Sequence, residues 1–203
     1  MNNIVFLTAV DIPSMKEKRK DYNPSCFQYG IDSFKNWAVG KNVDVVVLDE
    51  LLYPHEDMKV NFQRYYAFDI LKNSGIDYDQ ILISDVDCII HPECPNFFEM
   101  TDNNYTVVRS VGSVDWILRS YENYSKHLFG DKKFPYYNYF NAGFQIVNKK
   151  HEYIFKQLID LYWGNKDLVI YQFNSLPSKD GKALMGDVSF WMQRTFEHLY
   201  NKK

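Results

Sequence analysis

The sequence contains little of what marks several specialised classes of protein. Its three cysteines, Cys26, Cys88 and Cys94, are an odd number and have neither metal-ligand spacing nor the density of a disulfide framework. It has no apolar run long enough to span a bilayer, since the first such run ends by Val10. These absences predict a chain without a transmembrane segment, and a reducing, cytoplasmic location fits them best.

The sequence also lacks a large excess of either positive or negative charge. The formal net charge is −3, which provides no broad cationic surface, and nucleic acid is therefore not an expected partner. The chain has no repeat, no low-complexity tract and no linker rich in proline, glycine and serine. With 46% hydrophobic residues, the composition predicts one compact domain that covers residues 1–203.

What is present is an alternation of apolar runs with amphipathic runs, which predicts an α/β fold with helices flanking a mostly parallel sheet. The predicted strands are Ile4 to Ala9, Val43 to Leu48, Gln80 to Ser84, Thr106 to Ser110 and Phe144 to Val147. The predicted helices are Phe27 to Val39, Phe62 to Lys72, Val114 to His127, His151 to Trp163 and Val188 to Tyr200. The second strand is apolar enough to be buried on both faces.

Polar clusters follow two of these strands directly, Thr8 to Asp11 after the first and Ser84 to Asp87 after the third. Sheets of this kind bind ligands beyond the carboxyl ends of their strands. Asp85 and Asp87 point to the same side of an extended chain, where they would raise each other's pKa unless a cation lies between them. Their hard oxygen ligands suit Mn²⁺ or Mg²⁺, and the structural alternative is a solvated acidic turn.

Three segments resemble those of a known enzyme class. Asp85-Val86-Asp87 resembles the Asp-x-Asp motif of GT-A fold glycosyltransferases, and Tyr78 to Leu82 is similar to the lead-in to that motif. Tyr139 to Asn148 resembles the donor-lining segment of the galactosyltransferase and glycogenin-like families. The resemblance implies a Rossmann-like GT-A domain and a metal-dependent hexosyltransferase. Such an enzyme moves a sugar from a nucleotide-sugar donor, expected to be a UDP-sugar, to a carbohydrate or glycan acceptor.

The same resemblance implies a set of site residues. The implied metal ligands are Asp85 and Asp87, which would hold Mn²⁺ or Mg²⁺. The residues implied to bind the donor are Thr8, Ala9, Asp11, Arg64, Asp85, Val86, Asp87 and Ala142. The residues implied to be catalytic are Asp187, Asp87 and Asn141.

Each of these assignments has a purely structural alternative. Asp11 suits a turn before Pro13, and Arg64 suits a solvated helical face. Asn141 suits a polar kink at the start of a buried strand, and Asp187 suits the N-cap of the last helix. A further candidate is the basic run around Lys16, Lys18, Arg19 and Lys20, which would close over a pyrophosphate as a mobile loop or remain a solvated surface.

The chain departs from the resembling families in two places. Val188 stands where the retaining galactosyltransferases have Gln, which leaves both a general-base role and a sugar-orienting role open for Asp187. The families' late His-x-x-Gly segment, which supplies a third metal ligand, is missing. The only late histidine is His198, on a predicted helix, so the metal site is expected to rely on two aspartates, the diphosphate and water.

Two other functions fit the acidic triplet. Ile83 to Asp87 also looks like the first motif of haloacid-dehalogenase-type phosphatases, in which Asp85 would be the nucleophile and Asp87 a general acid. Against this, Cys88-Ile89 stands where that family has Gly-Thr or a similar pair, and the segment Phe140 to Asn148 has no role. The other alternative is a sugar-nucleotide binding module that has lost turnover.

Overall fold

The computed structural model describes residues 2–18, 20, 22–109, 139–167 and 169. The chain divides into two compact units. The first consists of Met1–Thr106 and Gly143–Phe155, and the second of Val107–Ala142 and Lys156–Lys203. The prediction of a single domain over residues 1–203 stays a prediction. The predicted helices Val114 to His127 and Val188 to Tyr200 lie outside the described residues.

A five-stranded sheet confirms the predicted α/β fold. Its strands are β1 (Asn3–Thr8), β2 (Val43–Leu48), β3 (Gln80–Asp85), β4 (Thr106–Arg109) and β5 (Phe140–Asn148). Their order is β2-β1-β3-β5-β4. β1 runs parallel to both β2 and β3, whereas β5 runs antiparallel to β3, so the sheet is mixed around a parallel centre.

The described helices are α1 (Pro13–Lys18), α2 (Phe27–Ala38), α3 (Val60–Gln63), α4 (Ala67–Asn73) and α5 (Glu152–Gly164). Two of them, α2 and α5, lie close to their predicted positions, whereas α1 was not predicted. Short 3₁₀ turns cover Pro24–Cys26, Arg64–Tyr66, Phe97–Met100 and Lys149–His151. α2 and α5 match their predictions to within one residue at most boundaries, since each has a long amphipathic pattern.

The single helix predicted from Phe62 to Lys72 is wrong, because α3 and α4 are separated by the 3₁₀ turn. The large apolar side chains of this segment recur at every third position, as Phe62, Tyr65, Phe68 and Leu71, all at most 3% exposed. A period of three matches the three residues per turn of a 3₁₀ helix better than the 3.6 of an α-helix. Gln63, Arg64 and Ala67 are buried as well, so this segment is covered on more than one side.

The prediction that β2 is buried on both faces is also wrong. β2 is an edge strand that pairs with β1 only, and its Asp44 is exposed. Val45 and Val47 pack against the core cluster but remain partly accessible. Apolar β-branched runs of this kind are typical of central strands, but the position of a strand in the sheet is set by chain connections that composition does not encode.

The centre of the sheet, formed by β1 and β3, is buried on both faces. Val5, Leu7 and Leu82 form one core cluster with Phe34 and Trp37 of α2. The alternating residues, which point to the other face, are also fully buried; they are Ile4, Phe6, Ile81 and Ile83. β1 and β3 are therefore central, doubly covered strands, and polar side chains can reach solvent only beyond their ends.

β5 ends in a capping box that contains a buried histidine. The backbone N–H of Asn148 donates to Nδ1 of His151 at 3.1 Å, and the Asn148 side chain accepts from the N–H of Lys150 at 3.2 Å. The His151 ring meets the Tyr105 ring edge to face, with centroids 5.3 Å apart. Burial, with a smaller effect from the charge of Lys150, lowers the pKa of His151 to about 4. The imidazole is therefore a neutral acceptor at pH 7.

This histidine gives the fold a defined pH dependence. Because the folded-state pKa lies below the unfolded value of about 6.5, stability is fully present above that value and is lost as the pH falls toward 4. We expect His151→Gln to have a smaller loss of unfolding free energy between pH 7.5 and 4.5 than the wild type. The difference should be at most about 3 kcal/mol, measured by urea denaturation.

His91→Gln is the matched control, because it changes an imidazole whose side chain is 69% exposed. It should keep the wild-type pH dependence. An identical pH profile for His151→Gln and the wild type would contradict the assignment of a neutral, buried His151.

Candidate functional site

The carboxyl ends of the three parallel strands meet in one row. Thr8 of β1 lies opposite Leu48 of β2 on one side and opposite Asp85 of β3 on the other. The two polar clusters predicted after β1 and β3 are therefore neighbours at one edge of the sheet. The prediction that Thr8 and Asp85 lie at strand ends is confirmed by this register.

Asp85 is paired with a buried arginine. The Nη2 atom of Arg64 contacts Oδ1 of Asp85, with the arginine side chain 8% and the aspartate side chain 37% exposed. Arg64 is the first residue of the 3₁₀ turn between α3 and α4. The alternative of a solvated helical face for Arg64 is therefore wrong. A guanidinium and a carboxylate in this arrangement hold each other in a defined orientation.

Two polar atoms beside this pair are buried and have no hydrogen-bond partner among the described residues. They are Nε of Arg64 and Oγ1 of Thr8. An unsatisfied buried polar group costs about 1–3 kcal/mol, so such groups in a native protein call for a specific explanation. Both residues are neighbours of Asp85, Thr8 by strand register and Arg64 by its ion pair, and unsatisfied groups of this kind are typical of a polar site that a ligand or ordered water completes.

Asp87 differs from Asp85 in its surroundings. It lies beyond the end of β3 and is exposed, whereas Val86 between the two aspartates is 6% exposed. Partial loss of hydration and, second, the negative charge of Asp85 raise the pKa of Asp87, and Arg64 opposes this effect. A cation close to both carboxylates would reverse the shift, because it stabilises the ionised form.

The residues present fit a divalent cation as a partial ligand set. Asp85 and Asp87 supply carboxylate oxygens, which Mg²⁺ and Mn²⁺ prefer. Among residues 2–109 and 139–169, as far as they are described, no group of three or more His, Cys, Asp or Glu side chains is placed to hold a metal. Mg²⁺ usually keeps several positions for water and phosphate oxygens, so two protein ligands are compatible with an ion bound together with a diphosphate.

The segment after β1 is held by its own contacts. The N–H of Ala9 donates to the carbonyl of Leu48 at 2.8 Å, so this amide extends the sheet and is not free for a ligand. Asp11 forms an exposed ion pair with Lys16 of α1 at 3.0 Å. The hydroxyl of Tyr22 accepts from the N–H of Ile12 at 2.9 Å and donates weakly toward Asp11.

These contacts also concern the basic run from Lys16 to Lys20, which is predicted from the sequence to be a mobile loop over a pyrophosphate or a solvated surface. Lys16 belongs to a short helix and is already paired with Asp11. Lys20 is exposed, while Arg19 lies outside the described residues. The role of Tyr22 is not predicted from the sequence. A lone tyrosine in a polar stretch does not indicate that its hydroxyl bonds to a neighbouring loop.

The structure does not test the roles of the remaining predicted residues. Asn141 is exposed and Ala142 is buried, and both belong to the part of β5 in the second unit. The prediction of a strand from Phe144 to Val147 is correct but short, because β5 begins at Phe140 and includes both residues. Asp187, His198 and Val188 lie outside the described residues. Their roles stay predictions.

A cavity of about 350 Å³ lies away from these residues, near the amino end of β3. Its lining includes Phe68, Tyr78 and the mutually paired Asp77 and Lys149. It contains none of the predicted site residues.

Comparison with known proteins shows a distant likeness to solved structures. No protein-family model and no curated protein matches the sequence. One similar solved structure is a glycosyltransferase involved in the glycosylation of the major capsid of PBCV-1, with 14% identity and a TM-score of 0.48. The likeness covers 78% of this chain and 66% of that one. It is too distant to transfer a function to this chain.

Among the helices that the structure describes, none combines the length and the apolar character needed to cross a membrane. The three cysteines are free thiols, exposed at Cys26 and partly buried at Cys88 and Cys94. Partial burial raises the pKa of the Cys88 thiol, which lies next to the acidic triplet.

The Arg64–Asp85 pair should be energetically coupled well beyond a surface ion pair. In a double-mutant cycle with Arg64→Met and Asp85→Asn, we expect a coupling of about 1–3 kcal/mol in the free energy of unfolding, because the guanidinium is buried. The same cycle on the exposed pair, Lys16→Met with Asp11→Asn, should give below about 1 kcal/mol. Urea denaturation at low salt measures both. Equal coupling in the two cycles would refute the special position of Arg64.

Proposed function

We propose that the chain is a metal-dependent glycosyltransferase that moves a sugar from a nucleoside diphosphate sugar to a hydroxyl group of a carbohydrate acceptor. The single observation that carries the proposal is the buried Arg64 paired with Asp85 at the carboxyl end of β3, with Asp87 two residues beyond it. The surrounding motifs resemble those of GT-A fold enzymes, and this resemblance is the basis for the proposed reaction.

The acidic pair would serve the diphosphate of the donor. Asp87, with Asp85 beside it, would hold Mn²⁺ or Mg²⁺, which would offset the charge that develops on the leaving nucleoside diphosphate. Arg64 orients the Asp85 carboxylate and carries its own positive charge to this edge. The unpartnered Nε of Arg64 is a further donor close to the place where phosphate oxygens would bind.

Recognition of the nucleotide base is assigned to the segment after β1. The Ala9 N–H is bonded to the carbonyl of Leu48. The carbonyl of Ala9 and the side chains of Thr8 and Asp11 are therefore left for this task. The Lys16–Asp11 pair is exposed, and exposed ion pairs contribute little stability, so a ligand can displace it at small cost.

The roles of Asn141, Ala142 and Asp187 rest on the resemblance alone. Asn141 can both donate and accept hydrogen bonds with sugar hydroxyls, and Ala142 beside it would line the donor sugar. Asp187 would act as general base on the acceptor hydroxyl in an inverting enzyme, or orient the sugar in a retaining one. UDP is the proposed nucleotide because the resembling families use it.

The phosphatase alternative leaves the segment Phe140 to Asn148 without a role. The binding-module alternative differs in outcome rather than geometry, because a module would bind the donor without releasing nucleoside diphosphate.

A thermal-shift screen of nucleotide sugars with and without Mn²⁺ tests the proposal. A saturating donor should raise the melting temperature of the wild type by about 5–10 °C, and only with metal, because a ligand of the folded state adds to its stability. Asp87→Asn should lose this shift and lower transfer about 100-fold while it still folds. Asp79→Asn, an exposed aspartate directly before β3, is the matched control and should behave as the wild type.

Three results would count against the proposal. Full metal-dependent transfer by Asp87→Asn would remove the assigned role of that residue. Hydrolysis of an aryl phosphate without any effect of nucleotide sugars would favour the phosphatase. A metal-dependent shift without release of nucleoside diphosphate would favour the binding module.

A further inference from the structure

Helix α2 touches the backbone of the acidic triplet at a glycine. Gly30 is buried, and a methyl group at this position would lie 1.8 Å from the carbonyl oxygen of Val86 and 2.9 Å from its carbonyl carbon. The carbonyl oxygen of Cys88 would be 3.4 Å away. Side chains do not approach backbone atoms within 3 Å, so any residue other than glycine would push α2 and this loop apart.

A second contact follows one turn further along α2. The hydroxyl of Ser33 donates to the carbonyl of Gly30 at 2.8 Å and accepts from the N–H of Ile90 at 3.2 Å. On the next turn, Nε1 of Trp37 donates to the carbonyl of Cys94 at 3.0 Å. One face of α2 therefore follows the chain from Val86 to Cys94.

The position of the Val86 peptide decides where the two carboxylates can reach. Val86 lies between Asp85 and Asp87, outside the hydrogen-bonding ladder of β3, and no helix contains it. Its side chain is 6% exposed and its carbonyl meets Gly30, so the residue is held on both sides. Arg64 restrains the Asp85 side chain, whereas the Asp87 side chain is exposed.

We propose that Gly30 and Ser33 of α2 are positioning residues that set the backbone of Val86, and through it the placement of Asp87 toward a divalent cation and a diphosphate. The claim about cation and diphosphate rests on the proposed function. The claim about the backbone does not.

The alternative is that Gly30 is an ordinary helical glycine without a special role. Glycine inside a helix costs about 0.5–1 kcal/mol relative to alanine, so at an unrestricted position Gly→Ala stabilises the protein. Gly164, the last residue of α5, is sterically unrestricted, since a methyl group there would meet nothing within 4 Å. Alanine is therefore expected to disturb the local structure at position 30 and to be tolerated at position 164.

The experiment compares Gly30→Ala with Gly164→Ala in the full chain. The readouts are the Kd for Mn²⁺ in the presence of UDP and the hydrogen-exchange rates of the Cys88 and Ile90 amides without ligand. Gly30→Ala should weaken Mn²⁺ binding at least about 10-fold and speed both exchange rates, because the triplet must move. Gly164→Ala should leave all three values unchanged.

Ser33 provides an independent test if Gly30→Ala fails to fold. Ser33→Ala should speed exchange at Ile90 and weaken Mn²⁺ binding several-fold, and Ser33→Thr, which keeps the hydroxyl, should restore both. A purely structural serine would lower the melting temperature without this rescue of metal affinity.

Unchanged exchange and unchanged Mn²⁺ affinity in the Gly30 or Ser33 variants would overturn the positioning role. If the wild type binds neither Mn²⁺ nor UDP, the proposed function fails. The exchange rates at Cys88 and Ile90 still decide in that case whether α2 positions the loop.

Discussion

The balance of charge around Asp85 and Asp87 is the constraint on which the candidate site depends. Two carboxylates at the end of a doubly covered strand repel each other, and burying an unpaired charge there would be costly. Arg64 contributes one positive charge to Asp85 and is itself almost completely buried. The pair and Asp87 together keep one net negative charge, which a divalent cation would turn into one net positive charge. That sign is complementary to a diphosphate.

Three separate elements hold the parts of this arrangement. The parallel ladder fixes Thr8 beside Asp85, the 3₁₀ turn presents Arg64, and α2 supports Val86 through Gly30. Each element is anchored by buried aromatic or aliphatic side chains. The edge of the sheet that carries Asp85 is therefore supported by the core on both faces of the sheet. Such support restricts the loop without any direct contact between the supporting residues and a ligand.

The sequence predicts the strands, most helices and the two polar strand ends because these follow from local periodicity and β-branched runs. It does not predict the break after Gln63, since a period of three differs from 3.6 by too little over a short segment. It does not reveal the edge position of β2, which depends on connections across the whole chain. A lone glycine in an amphipathic helix, such as Gly30, is only a weak sequence signal. Its role depends on which backbone segment packs against the helix at that point.

The unequal surroundings of the two aspartates imply unequal contributions to cation binding. Asp85 already has a partner in Arg64, so a cation gains less from its charge than from that of Asp87. Asp87 is exposed, its pKa is raised by partial dehydration and by Asp85, and a cation would offset the repulsion from Asp85. Arg64 fixes the Asp85 side chain, whereas the placement of Asp87 depends on the backbone before it, which packs against Gly30. A helix that sets this backbone would therefore affect cation binding more than one that supports the already paired Asp85.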